Sequence, residues 1–113
     1  MRNITESEAS MTYKDFLVYL ESNLDAYSVF MDKAIAYQHG KNANRPVAKR
    51  WSEEKMQRAA YEMWKTSMQN LYNQIKSNVK SNMPAVWTQY IEKNDVLSSV
   101  DEGIRDLNFS EMD

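Results

Sequence analysis

The chain has 113 residues, a length suited to one domain that buries roughly two thirds of its unfolded surface, and its 42% hydrophobic content is enough to fill a core. Two glycines, two prolines and no cysteine exclude disulfides and cysteine-based metal sites, leave a reducing compartment compatible, and argue against a turn-rich β fold. The net charge of −2 conceals a strong asymmetry: residues 1–40 carry three basic and six acidic groups, residues 41–80 nine and three, and residues 81–113 two and seven.

Residues 1–11 are polar and without periodicity, and read as a flexible leader. They contain no apolar signal core, and no stretch of the chain approaches the ~18 apolar residues of a membrane span, so a cytoplasmic protein is expected. Thr12 followed by Asp15 resembles a capping box. From there Tyr13, Leu17, Leu20, Leu24, Tyr27, Met31 and Ala34 alternate at spacings of four and three, widened by Phe16, Phe30 and Tyr37. On a helical wheel they fill an arc of about 160°, one broad buried face. Lys14, Glu21, Asp25 and Asp32 fall opposite. His39 would suit the C-terminal dipole, and Gly40 would take the left-handed position just past the helix end. A first helix is predicted over about 13–39.

A second helix starts more sharply. Ser52 is a good N-cap, Glu53 and Glu54 oppose the dipole in the first turn, and Trp51 can pack on Met56. Met56, Ala60, Met63, Trp64, Met68, Leu71, Ile75 and Val79 then share one face, predicting a helix over about 53–81. Pro84 breaks it and suits the first turn of a short helix carrying Val86, Trp87, Tyr90 and Ile91. Leu97, Val100, Ile104 and Leu107 give one more short helix, with Ser99 and Glu102 as its capping box. Phe109 would have to dock for the acidic end, 110–113, not to fray. The prediction is an all-α fold: a small bundle built on a long antiparallel helical hairpin, with two short C-terminal helices to cover its groove, forming a single domain over 12–109.

Little catalytic chemistry is legible. One histidine and no cysteine cannot assemble the common zinc sites, two isolated glycines cannot form a phosphate-binding loop, and no serine has a nucleophile-elbow context. Adjacent carboxylates (Glu53 and Glu54, Asp101 and Glu102) diverge on a helix and suit helix starts. No catalytic residue, metal or cofactor is expected. The seven tyrosines and the methionines beside Trp64 suit core first and a partner surface second.

What remains is the basic block. Lys55, Arg58, Lys65, Lys76 and Lys80 lie across the second helix from its core face, and the loop adds Lys41, Arg45, Lys49 and Arg50. Solvation, or pairing with the acidic first helix and C-terminal segment, is the commonest fate of such a strip. An acidic protein partner ranks second, and a nucleic-acid backbone third, because the rest of the chain is acidic and no nucleic-acid-binding signature is present. The expected role is a non-enzymatic, regulatory helical module that binds another protein or a second copy of itself. The composition also suits a phage or mobile-element product acting on host machinery. Nucleic-acid binding through residues 41–80 and a structural part in a larger assembly are the alternatives.

Overall fold

A computed structural model describes residues 10–109, so the first part of the expected leader and the acidic end at 110–113 lie outside the described residues. The fold is all-α: α1 (Tyr13–Asn23), α2 (Ala26–Ala43), a 3-10 turn (Val47–Lys49), α3 (Glu53–Val79), α4 (Pro84–Lys93) and α5 (Val96–Arg105). None of the helices within the described residues is long and apolar enough to cross a membrane.

The first predicted helix is two helices. Leu24 is extended (φ −104°, ψ 109°) and separates α1 from α2. Asn23 and Asp25 flank it, residue types whose short polar side chains compete for backbone groups; Asn23 donates to the Tyr19 carbonyl at 2.8 Å. Leu24 is itself buried, so the apolar rhythm runs through the break unbroken, and periodicity alone cannot reveal it. At the other end α2 continues past His39 and Gly40 to Ala43, and neither glycine has positive φ. Left-handed geometry appears instead at Lys80, which ends α3, and at Asp95 in the short turn between α4 and α5.

Other terminal signals held. Thr12 and Asp15 form the reciprocal capping box, the Ser52 hydroxyl accepts from the Lys55 N–H at 3.2 Å, and Pro84 opens α4. The second capping box did not form, because α5 begins at Val96 and Ser99 lies inside it.

The core lies where α1 and α2 both pack on α3, with α4 and α5 closing it. Tyr13, Phe16, Tyr72 and Trp87 gather around one end, with Tyr72 and Trp87 ring centroids 5.0 Å apart. Tyr27 and Phe30 pack on fully buried Trp64 further along. Met11, the last residue of the expected leader, belongs to this core: its N–H donates to the Asn82 carbonyl, and its own carbonyl accepts from the Tyr72 hydroxyl at 2.8 Å. Phe109 does dock, edge-on to Phe30 at 5.3 Å and tilted against Tyr37 at 5.8 Å. Lys33 secures that stretch by donating to the carbonyls of Ile104, Arg105 and Leu107 at 2.8–3.0 Å, the first two in the last turn of α5, where carbonyls lack an onward helical partner, and the third just past it.

Glu21, which a straight wheel puts on the solvent side, is half-buried and accepts from the Tyr61 hydroxyl at 2.8 Å and from Trp64 Nε1 at 3.0 Å. A fully buried indole N–H needs an acceptor, and Glu21 supplies it. Desolvation, and then the hydrogen bond to Glu21, push the Tyr61 phenol up to about 12.

Candidate functional site

The nine basic residues singled out by sequence fall into three groups. The first occupies the end of the α2–α3 hairpin. Side-chain hydrogen bonds, ion pairs and ring contacts made by residues 41–58 among the described residues stay within the two arms and their loop. This end therefore lies apart from the stretch of the hairpin on which α1, α4 and α5 pack.

Its loop is built from Asn42 outward. Asn42 Nδ2 donates to the Trp51 carbonyl at 3.1 Å, and Asn42 Oδ1 accepts from the Trp51 N–H at 2.8 Å and from Arg45 at 3.0 Å. The Trp51 ring in turn carries two cations, the Arg45 guanidinium 4.0 Å and the Lys55 ammonium 4.5 Å from its centroid. Lys41 lies 5.3 Å from the Tyr37 centroid. Arg50 donates to the carbonyls of Arg45 and Ala43 at 3.2 and 3.4 Å. Four of the five cations here are thus held by rings and carbonyls. None of the five, Lys41, Arg45, Lys49, Arg50 and Lys55, has a carboxylate within ion-pair distance among the described residues. The two nearby acids are engaged elsewhere: Glu53 pairs with His39 at 2.8 Å, and Glu54 with Arg58 at 3.5 Å. Hydrogen bonds from His39 and then Gln57 hold the Glu53 carboxyl below the usual range.

The second group is neutralised locally. Arg58 pairs with Glu54, and Lys65 with Glu62 at 2.6 Å, while the Lys65 ammonium also lies 5.6 Å from the Tyr61 ring centroid. The third, Lys76 and Lys80, sits about 30–40 Å along α3 from Lys55 by helical rise and has no ion pair among the described residues. The strip that looks continuous on a wheel is therefore interrupted in its middle. Among the described residues neither α1 nor the stretch from Pro84 to Phe109 answers it: the charged contacts on α3 are Arg58 with Glu54, Lys65 with Glu62, and Glu53 with the His39 ring.

His39 is not a helix-end residue but a bridge between the arms of the hairpin. Sequence reasoning missed Asn42 and Val47. Asn42 spaced three before Arg45 was a faint signal for a loop clamp, and Val47 after Pro46 in a basic loop was a faint signal for an exposed apolar tip.

Two clefts flank Phe109. One, of 460 Å³, is lined by Tyr37, Gln38, Ala59, Met63, Thr66 and Phe109 among others. The other, of 570 Å³, lies between α2 and the end of the chain beyond α5. Gln38, the one buried polar residue of the described core, donates to Met63 Sδ at 3.2 Å beside the first cleft. No three histidine or acidic side chains come together to hold a metal ion among the described residues.

No protein-family model matches the chain, and comparisons with curated proteins and with solved structures likewise give no match.

Proposed function

We propose that the protein is a non-enzymatic helical module that binds another protein through the end of its α2–α3 hairpin. One observation carries this reading: five positive side chains are concentrated there, largely fixed in place, yet without carboxylate partners among the described residues. Exposed ion pairs contribute about 0–1 kcal/mol to folding, so a surface serving stability alone gains little by leaving like charges together. Fixing them before contact reduces the ordering cost of association, and an opposing acidic surface would be drawn to them over long range. The cysteine-free composition is compatible with a reducing, cytoplasmic setting for such a module.

Affinity capture from nuclease-treated lysate tests the proposal. Wild type should retain a defined protein that Lys49→Glu/Arg50→Glu loses. Retention unchanged by that reversal would remove the hairpin end from the function. Loss of every partner on nuclease treatment would favour the second reading, a phosphate backbone meeting the same five cations.

A further inference from the structure

We infer that Val47 and the cations around it form one composite docking site for an acidic protein segment that carries an apolar side chain. This rests on the reading of the hairpin end as a partner surface and adds what that partner must present. Val47 is 78% exposed, more than any other large hydrophobic side chain among the described residues. A single exposed aliphatic residue is ordinary; its setting here is not. Pro46 fixes the entry to the turn, the Lys49 N–H closes on the Pro46 carbonyl at 2.8 Å, and the Arg50 N–H reaches the Val47 carbonyl at 3.3 Å. Beneath the turn Arg50 ties back to Ala43 and Arg45, and Asn42 clamps Trp51. The valine thus sits in a hydrogen-bonded turn flanked in sequence by Arg45, Lys49 and Arg50, none of which has a carboxylate partner among the described residues.

Charge complementarity selects the occupant. Carboxylates on a polypeptide answer Lys49 and Arg50, and an apolar side chain between them covers Val47. A phosphate backbone answers the cations but gives Val47 no partner. A lipid surface gains little from one small aliphatic side chain, because interfacial binding scales with the apolar area inserted.

The full chain would be titrated with two fluorescein-labelled peptides, each with four glutamates on either side of a central residue, leucine in one and serine in the other. At physiological salt the leucine peptide should bind about fivefold or more tightly, the scale expected for covering one aliphatic side chain. Val47→Ser should erase that preference and leave the serine peptide unaffected. Lys49→Glu/Arg50→Glu should weaken both peptides about tenfold or more. Equal binding of the two peptides, a leucine preference that survives Val47→Ser, or tighter binding to phosphatidylserine vesicles or duplex DNA than to either peptide would overturn the inference. The two levels fail separately. If charge reversal still abolishes capture of a protein from nuclease-treated lysate while the leucine preference is absent, only the Val47 site is wrong. If it changes neither capture nor peptide binding, the hairpin end is not a partner surface.

Discussion

Asn42 grips both backbone polar groups of Trp51, accepting from its N–H at 2.8 Å and donating to its carbonyl at 3.1 Å. One side chain thereby does what a pair of strand hydrogen bonds would do, fixing the two ends of the 44–52 loop across nine residues of sequence. Asn42→Ala should destabilise the protein by about 1–2 kcal/mol, since it leaves a half-buried donor and acceptor to find water. Asn42→Asp should keep the acceptor role and lose only the donor, falling between. Urea melts give the order wild type, Asp, Ala; an Ala variant as stable as wild type would show the clamp to be incidental.

Gly40 offers a test in which the sequence and the structure disagree, and Gly103, which the last apolar stripe already puts inside a helix, is its control. A glycine just past a helix end would resist replacement because only glycine adopts left-handed geometry cheaply. In the structure both lie inside helices without positive φ, and an added Cβ meets nothing within 4 Å at either. Gly40→Ala and Gly103→Ala should therefore each stabilise the fold by about 0.5–1 kcal/mol. Destabilisation by Gly40→Ala in thermal melts would restore the earlier helix end at His39.

Tyr61 gives the protein an alkaline limit. Below pH 10 its phenol is protonated in folded and unfolded chains alike, and its contribution is fully present. Between the ordinary value near 10 and about 12 in the folded state, the unfolded chain gives up the proton first, and stability falls as pH rises. Burial raises Tyr13, Tyr19, Tyr27 and Tyr72 in the same sense. Tyr61→Phe should flatten, without abolishing, the decline in urea midpoint above pH 10. An unaltered slope would mean that the Glu21 contact does not hold in solution.

Lys33 ties α2 to the end of α5 through three carbonyls. Lys33→Met keeps the aliphatic stem and removes the donors, so the last turn of α5 should fray. Amide exchange at residues 104–107 should quicken, with a global loss of about 1–2 kcal/mol from charge-assisted bonds at a helix C-terminus. Unchanged exchange there would mean that packing of Ile104 and Phe109 alone holds this end.

The elements readable from sequence were those specified by local chemistry. Thr12 and Asp15, Ser52 and Pro84 each act on backbone groups within a few residues, and each marks the boundary it appeared to mark. What escaped depended on partners distant in sequence. The break at Leu24 is hidden because Leu24 stays buried on both sides of it. Glu21 looks solvent-facing until Trp64, forty-three residues later, needs an acceptor. Tyr72 joined the core outside the expected stripe because the Met11 carbonyl satisfies its hydroxyl. The basic residues were all visible, but not their division: a wheel records direction around an axis and is blind to which charge has a neighbouring acid.

That division yields the sharpest test of the hairpin end. Lys49→Glu/Arg50→Glu and Lys76→Glu/Lys80→Glu change the net charge equally, yet the first pair lies in the five-cation cluster of the hairpin end and the second at the far end of α3. If the cluster is a site, the first should slow association with the captured protein well beyond the second, which should stay within about twofold of wild type. Equal effects would mean that the partner senses only overall charge. The same variants settle the nucleic-acid alternative by gel shift across a salt series. Five phosphate contacts would give a slope of about −4.5 in log affinity against log salt on duplex DNA. The acidic groups that outnumber basic ones in residues 1–40 and 81–113 would repel a long polyanion but not a short acidic segment seated on the tip. Weak or absent retardation is therefore expected even at low salt. Micromolar, steeply salt-dependent binding lost only in the Lys49→Glu/Arg50→Glu variant would transfer the site from an acidic protein to a phosphate backbone.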